Sequence, residues 1–306
     1  MNLFSFRYES SKELEPFPHI REVAFQRNTT VQLNSFPTSV SNALRIYYIL
    51  DGKFDWVING EQHTLYPGDI VLILPGSEIG GVNGVLELGT IVHLFIQLEE
   101  NHDNTDIVLG EWSGLTGGER CAVTRALMFN DIHVLKIKEA ELILYELGSE
   151  ILRHEIGHVA QVNHLIDTLL ILIARHSSRH SAKEADISDT FAKLEETLRA
   201  KPSHQWTVEE MATLLGLGTT AFTEKVKTHT GFSPLNYLIN IRISEAIKLL
   251  QEPGANFTDI ALATGFYSSQ HFSTTFKKFT GYTPGGFRKK HALDVSGRLS
   301  ASVLAG

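Results

Sequence analysis

GFYSSQHFSTTFKKFTGYTPGGFR, residues 265–288, decides how the chain is read. Phe272, Phe276 and Phe279 stand at i, i+4 and i+7, the spacing of an apolar helix face turned inward. Ser269, Gln270, Ser273, Thr274 and Lys277 then fall on the opposite face, which is rich in hydrogen-bonding groups and poor in acids. Amides and hydroxyls on such a face suit base edges in a major groove, and lysine suits phosphate. Any surface helix has a polar outer face, so one copy alone decides nothing.

A second copy lies about fifty residues upstream. MATLLGLGTTAFTEKVKTHTGFSPLNY (211–237) aligns with IALATGFYSSQHFSTTFKKFTGYTPGGF (260–287). Gly216 matches Gly265 and, with one extra residue in the later turn, Phe222 matches Phe272 and Val226 matches Phe276. An internal repeat of this kind outranks any single motif. Both copies have helix-turn-helix grammar. Thr207 and Glu210 form a T-x-x-E capping box before Met211, Leu214 and Leu215, and Gly216 ends that helix. Asn256 and Asp259 repeat the cap spacing before Ile260, Ala261 and the stop at Gly265. The outward face of the first copy offers Thr219, Thr220, Thr223, Glu224 and Lys227.

Residues 265–288 resemble the signature of AraC/XylS-type transcription regulators, carried by Gly265, Phe266, Ser268, Phe272, Phe276, Lys277, Gly281, Pro284, Phe287 and Arg288. RISEAIKLLQ (242–251) resembles that family's helix between its two motifs. The resemblance covers about 190–290 and implies a DNA-binding domain. Its candidate contacts are Thr219, Thr220, Thr223, Glu224 and Lys227 in the first motif, and Ser268, Ser269, Gln270, Ser273, Thr274, Lys277 and Arg288 in the second. The first motif departs from the pattern: Gly218 stands at the usual serine cap, Val226 at the usual phenylalanine, and Glu224 where arginine is common. A carboxylate there repels phosphate and can accept from cytosine N4.

Charge divides the chain along the same line. Within the net charge of −8, residues 1–182 carry −10 and residues 201–290 carry +4, which suits the C-terminal third to a polyanion, although ordinary surface scatter would give the same asymmetry. Cys121 is the one cysteine, which excludes an intrachain disulfide and fits a reducing cytoplasm. No apolar run is long enough to span a bilayer, and the start lacks the features of a secretory signal.

Residues 40–100 read as short strands. RIYYIL (45–50), FDWVI (54–58), QHTLY (62–66), IVLILP (70–75) and TIVHLFIQL (90–98) are separated by turn residues such as DGK, NGE and PGD. LRIYYILDGKFDWVINGEQHTLYPGDIVLILPGSE (44–78) resembles the cupin-like sensor domain of AraC-type regulators through Tyr48, Leu50, Gly52, Gly60, Leu65, Pro67-Gly68-Asp69 and Pro75. The metal-holding H-x-H couplet of cupin enzymes is absent, and His63 stands alone. The resemblance implies an effector pocket inside a barrel. Alternation puts Tyr47 on one face of its strand and Tyr48 on the other. Tyr47, Trp56, His63 and His93 are its candidate lining, since each joins ring area to a polar handle; core aromatics without a ligand would have the same pattern.

HEIGH (154–158) with His164 is one residue short of the zinc pattern H-E-x-x-H-x-x-G-x-x-H. Gln161 replaces the glycine that turns the chain toward the third ligand, and the apolar period runs on through Val162, Leu165, Ile166 and Leu169. On an unbroken helix His164 would lie about 15 Å along the axis from His154. Periodicity fits one long helix or a pair broken near Gly157, with Gly157 as C-terminal cap in the second case. Neither builds the zinc site. The apolar run 169–173 needs cover on more than one side, supplied by the same subunit or by a twin helix from a second one through Leu165, Leu169 and Leu172.

The expected architecture is multidomain β + α. A cupin-like effector-binding β-barrel (1–135) precedes a helical dimerisation segment (136–176), a polar linker (177–189), an all-α domain with two helix-turn-helix motifs (190–290) and a tail (291–306). The expected function is that of a sequence-specific DNA-binding transcription regulator, an activator rather than a repressor, answering to a small molecule such as a sugar or related metabolite. Double-stranded DNA, the effector, a second copy of the chain and, for an activator, RNA polymerase are the implied partners; no cofactor, metal, membrane or catalytic residue is expected. A zinc peptidase using HEIGH and a cupin-type enzyme are the competing readings.

Overall fold

The computed structural model describes residues 4–100, 107–128, 133–179, 182–252 and 254–290. They divide into two compact units, the first from 1–28, 37–83 and 89–180, the second from 29–36, 84–88 and 181–306.

In the first unit the strand-like runs pair into two antiparallel sheets. The larger orders β1 (Phe4–Arg7), β2 (Ile20–Asn28), β9 (Gly89–Ile96), β4 (Leu44–Gly52), β7 (Asp69–Ile73) and β12 (Val134–Lys136). The smaller orders β3 (Ser39–Val40), β8 (Glu78–Gly81), β5 (Phe54–Ile58) and β6 (Glu61–Leu65), while β10 (Glu99–Glu100) and β11 (Ile107–Val108) form a separate pair. Asn59 and Gly60, with φ of 49° and 84°, make the two-residue turn between β5 and β6, the left-handed pair that matches strand twist. The expected barrel is not closed: among the described residues no ladder joins the two sheets. Tyr47 of β4 meets Trp56 of β5 at 5.0 Å between ring centroids, which marks the inner face.

Alternation puts Leu44, Ile46 and Tyr48 on the other face of β4, where with Val92, Leu94 and Ile96 they meet helices. These are α1 (Gly117–Met128), α2 (Ala140–Arg153) and α3 (His158–Arg179). Leu144, Leu147 and Ile151 of α2 and Val162, Ile166 and Ile173 of α3 complete one apolar core with the sheet. Asp167 is buried within that apolar stretch, tolerated because Ser113 Oγ donates to it at 2.7 Å and Gly114 N–H at 2.9 Å.

HEIGH forms the turn between two helices and the first residue of the second. The chain reverses after Arg153 through His154, whose φ of 51° and ψ of 40° are left-handed and whose N–H donates to Glu150 C=O at 3.4 Å. Gly157, expected as the cap of α2, instead sits at φ 85° just before α3 and accepts from Gln161 N–H. Among the described residues no three of His, Cys, Asp and Glu come together as a metal site would require.

Leu165 and Leu169 are 5% and 0% exposed within a single chain, and Leu172 packs against the same core. Leu165 and Leu169 therefore have little area left to offer a second copy, whereas Leu172 is half-buried and keeps part of its side chain exposed. Helical period reports that a face is apolar, not which neighbour covers it. The uncovered apolar side chains of this helical pair are Leu142, Tyr145 and Leu152 on α2, Ile156 in the turn, and Val159.

The second unit is helical. It contains α4 (Ala182–Ala200), α5 (Val208–Leu214), α6 (Thr219–Thr230), α7 (Pro234–Gln251), α8 (Phe257–Ala263), α9 (Ser269–Thr280) and α10 (284–290). The segment 177–189 is mostly helix rather than an irregular linker, since α3 runs to Arg179 and α4 begins at Ala182. The expected tail 291–306 lies outside the described residues. Phe272, Phe276 and Phe287 centre an apolar cluster with Ile243, Ala246, Leu250 and Ile260, and Phe279 is only partly buried beside it. Val31, Leu33 and Val85, from the early stretches counted in this unit, belong to the same cluster. Arg199 of α4 bridges Glu245 of α7 at 2.8 Å and Glu195 at 2.6 Å, pinning the first helix of the unit to its longest neighbour.

Candidate nucleic-acid interface

Each repeat closes its first helix with a cap and a left-handed glycine. Glu210 N–H donates to Thr207 Oγ1 at 3.1 Å while Thr207 N–H donates to Glu210 Oε2 at 2.8 Å, the reciprocal box expected from T-x-x-E. Asn256 Oδ1 accepts from Thr258 N–H at 3.0 Å and caps α8. Gly216 and Gly265 follow with φ of 64° and 79°. The second helix of each repeat is then anchored from below, α6 by buried Phe222 and Val226, α9 by buried Phe272 and Phe276.

This anchoring turns the sequence-derived face outward. Thr219, Thr220, Thr223, Glu224 and Lys227 are all exposed on α6; Gln270, Thr274 and Lys277 are exposed on α9, with Ser269 and Ser273 half-buried beside them. Ser268 is exposed, yet its hydroxyl is committed as N-cap, accepting from His271 N–H at 3.1 Å. Gly218 caps α6 without a side chain. Arg288 is drawn away from the group: its guanidinium lies 4.3 Å over the Phe257 ring, with Nε buried. Two residues that periodicity passed over flank the start of α9. Tyr267 is 76% exposed and stacks on His271 at 6.1 Å; an aromatic just before a serine cap was the signal available in the sequence.

Between the sheets of the first unit, Tyr47 lies 5.0 Å from Trp56 and 5.8 Å from His93, and His63 stands directly across from Trp56 in the β5–β6 register. The four predicted side chains thus fall on the inner side, three of them in ring contact. Arg45 and Phe95, two residues along their strands, extend the same face and were not foreseen. The His93 ring nitrogen Nε2 pairs with Glu22 Oε1 at 3.2 Å, and Arg7 Nε reaches Glu22 Oε2 at 3.2 Å. Burial works to raise the Glu22 pKa, but His93 and Arg7 together hold it below the usual carboxylate range.

Residues 211–290 match the family model described as a helix-turn-helix domain, and residues 29–85 match the AraC-like ligand binding domain. An HTH-type transcriptional regulator of Haemophilus influenzae is 28% identical over 148 residues, 46% of this chain and 49% of the relative. The HTH-type transcriptional regulator MtrA of Neisseria gonorrhoeae is 27% identical over 142 residues, 44% of this chain and 47% of the relative. The HTH-type transcriptional activator RhaS of Klebsiella pneumoniae is 32% identical over 145 residues, 47% of this chain and 50% of the relative. The chain spans about half the length of these relatives. Residues 29–85 are thus similar to an AraC-like ligand binding domain, residues 211–290 to a helix-turn-helix domain, and the relatives are named HTH-type transcriptional regulators or activators.

Proposed function

We propose that the chain is a sequence-specific DNA-binding transcription regulator whose β-sheet unit takes a small-molecule effector. One observation carries this: α6 and α9 each expose a hydrogen-bonding face, locked outward by buried hydrophobic anchors and joined by an 18-residue helix. Such a helix is about 27 Å long, close to the roughly 34 Å of one DNA turn that separates successive major-groove segments on one side of a duplex. The RhaS relative is named an activator, and we read this chain likewise, with RNA polymerase as its further partner. No described helix is long and apolar enough to cross a membrane, and we place the protein with its DNA, in the cytoplasm.

The test is a DNase footprint on DNA upstream of the gene, at low and near-physiological salt. Two protected patches about one helical turn (roughly 34 Å) apart, surviving the higher salt, are expected. Protection seen only at low salt would reduce the interaction to phosphate attraction. Gln270→Ala should weaken the preferred site by about 1–3 kcal/mol and leave random DNA nearly unaffected. Lys277→Ala should weaken both alike; an equal loss on both substrates for Gln270→Ala would remove it from base reading.

A second copy of the chain suits the exposed face of α2. Around Ser149, an antiparallel pair of α2 helices would set Tyr145 against Arg153. The hollow of about 250 Å³ between Phe4, Phe25, Tyr145, Gly148 and Leu152 would receive the partner's side chains. Sedimentation should show a dimer that Tyr145→Asp converts to monomer; an intact dimer in that variant would move the contact elsewhere.

A further inference from the structure

Arg45 stands where an uncharged lining was expected. It shares its face of β4 with Tyr47, which touches Trp56 of the opposite sheet. Its guanidinium lies 4.9 Å over the Phe95 ring and hydrogen-bonds the Tyr47 hydroxyl, while its Nε is cut off from solvent without an acceptor. Among the described residues it has no carboxylate partner. Glu22, in the same row across β9, has its two oxygens taken by His93 and Arg7. A buried guanidinium donor left unmatched is costly, and an anion that accepts from it removes that cost. Arg45 and Phe95 are half-buried, whereas Tyr47, Trp56 and His93 are buried, so the charge sits at the outer edge of an aromatic floor.

We propose that the effector is a small organic acid whose carboxylate is held by Arg45 while its body lies against Tyr47, Trp56, His93 and Phe95. This rests on reading the β-sheet unit as the effector domain, and it separates the ligand from a neutral sugar. An arginine is suited to this task because its planar fork matches a carboxylate and stacks on an aromatic ring at the same time.

The experiment is a titration of the full chain, read by tryptophan fluorescence and by melting temperature. The probes are galacturonate against galactose, phenylacetate against phenylacetamide, and short straight-chain fatty acids against their amides. At least one acid should bind saturably, and its neutral partner at least tenfold more weakly, about 1.4 kcal/mol. Arg45→Gln should erase that preference, and Arg45→Lys should restore part of it. The proposal is overturned if no acid in the panel binds, if acid and neutral partner bind alike, or if Arg45→Gln keeps the preference. The footprint of the same preparations judges the regulator separately. A neutral sugar that binds best and alters the footprint sinks the acid and keeps the regulator. An Arg45-dependent acid with no footprint does the reverse.

Discussion

Replacing Gly265 with alanine should destabilise the helical unit by roughly 2–5 kcal/mol, and the same change at Gly216 by only about 1–2 kcal/mol. The two glycines hold equivalent places in the repeat, and both are left-handed, with φ of 79° and 64°. Handedness alone therefore penalises both alike. They differ in what surrounds them. A Cβ at Gly216 would meet nothing within 4 Å. A Cβ at Gly265 would collide with the Pro202 carbonyl oxygen and come within 2.7 Å of the Arg242 guanidinium. That arginine is buried and clamps the loop before α5, donating from Nε to Pro202 C=O at 3.1 Å and from Nη2 to His204 C=O at 2.7 Å. Neither the backbone oxygen nor the clamped guanidinium can give way cheaply. Hydrogen exchange over α7 to α9 would read the loss locally; equal loss of protection in the two variants would mean that crowding at Gly265 is relieved at no cost.

Acid should weaken the β-sheet unit through His19. Burial lowers its pKa from 6.5 to about 4, against a smaller raising effect of Asn163. Its folded-state pKa is therefore depressed, and the unfolded chain takes up the proton first. The stability tied to neutral His19 is complete above pH 6.5 and is lost as pH falls toward 4, to a total of about 3 kcal/mol. His19 stacks on Trp112 with centroids 4.2 Å apart and planes 6° from parallel, so His19→Phe keeps the ring contact and removes the titration. Urea midpoints at pH 7 and pH 4.5 should diverge strongly in the wild type and much less in the variant. The same acid loss in both would assign it to other groups, the Glu22 carboxyl first among them.

The strands from Leu44 to Ile96 were legible because each is short, alternating and closed by a turn whose residues specify it, as Asn59-Gly60 does. The two recognition helices were legible for a related reason, since their anchors and caps recur at fixed spacing. Closure of the sheets was not, because it depends on edge strands meeting through space and leaves no local pattern. Arg45 escaped notice because a charged residue at the start of a strand reads as the solvent edge; only Tyr47 touching Trp56 shows that this face turns inward. The segment 177–189 misled in the opposite direction. Its polarity suggested irregular chain, but Ala, Lys and Glu are among the better helix formers, and helix is what they make from Ala182.

His154 gives the HEIGH match a different meaning. Few side chains accept a left-handed backbone, and histidine is found there more readily than most residues, whereas a β-branched one would be a true outlier. The position is filled under a constraint of backbone handedness at the point where two helices reverse direction. Its identity is governed by the mirror preference of a single pair of torsion angles. The letter that makes the motif look catalytic is one of the few the turn would tolerate.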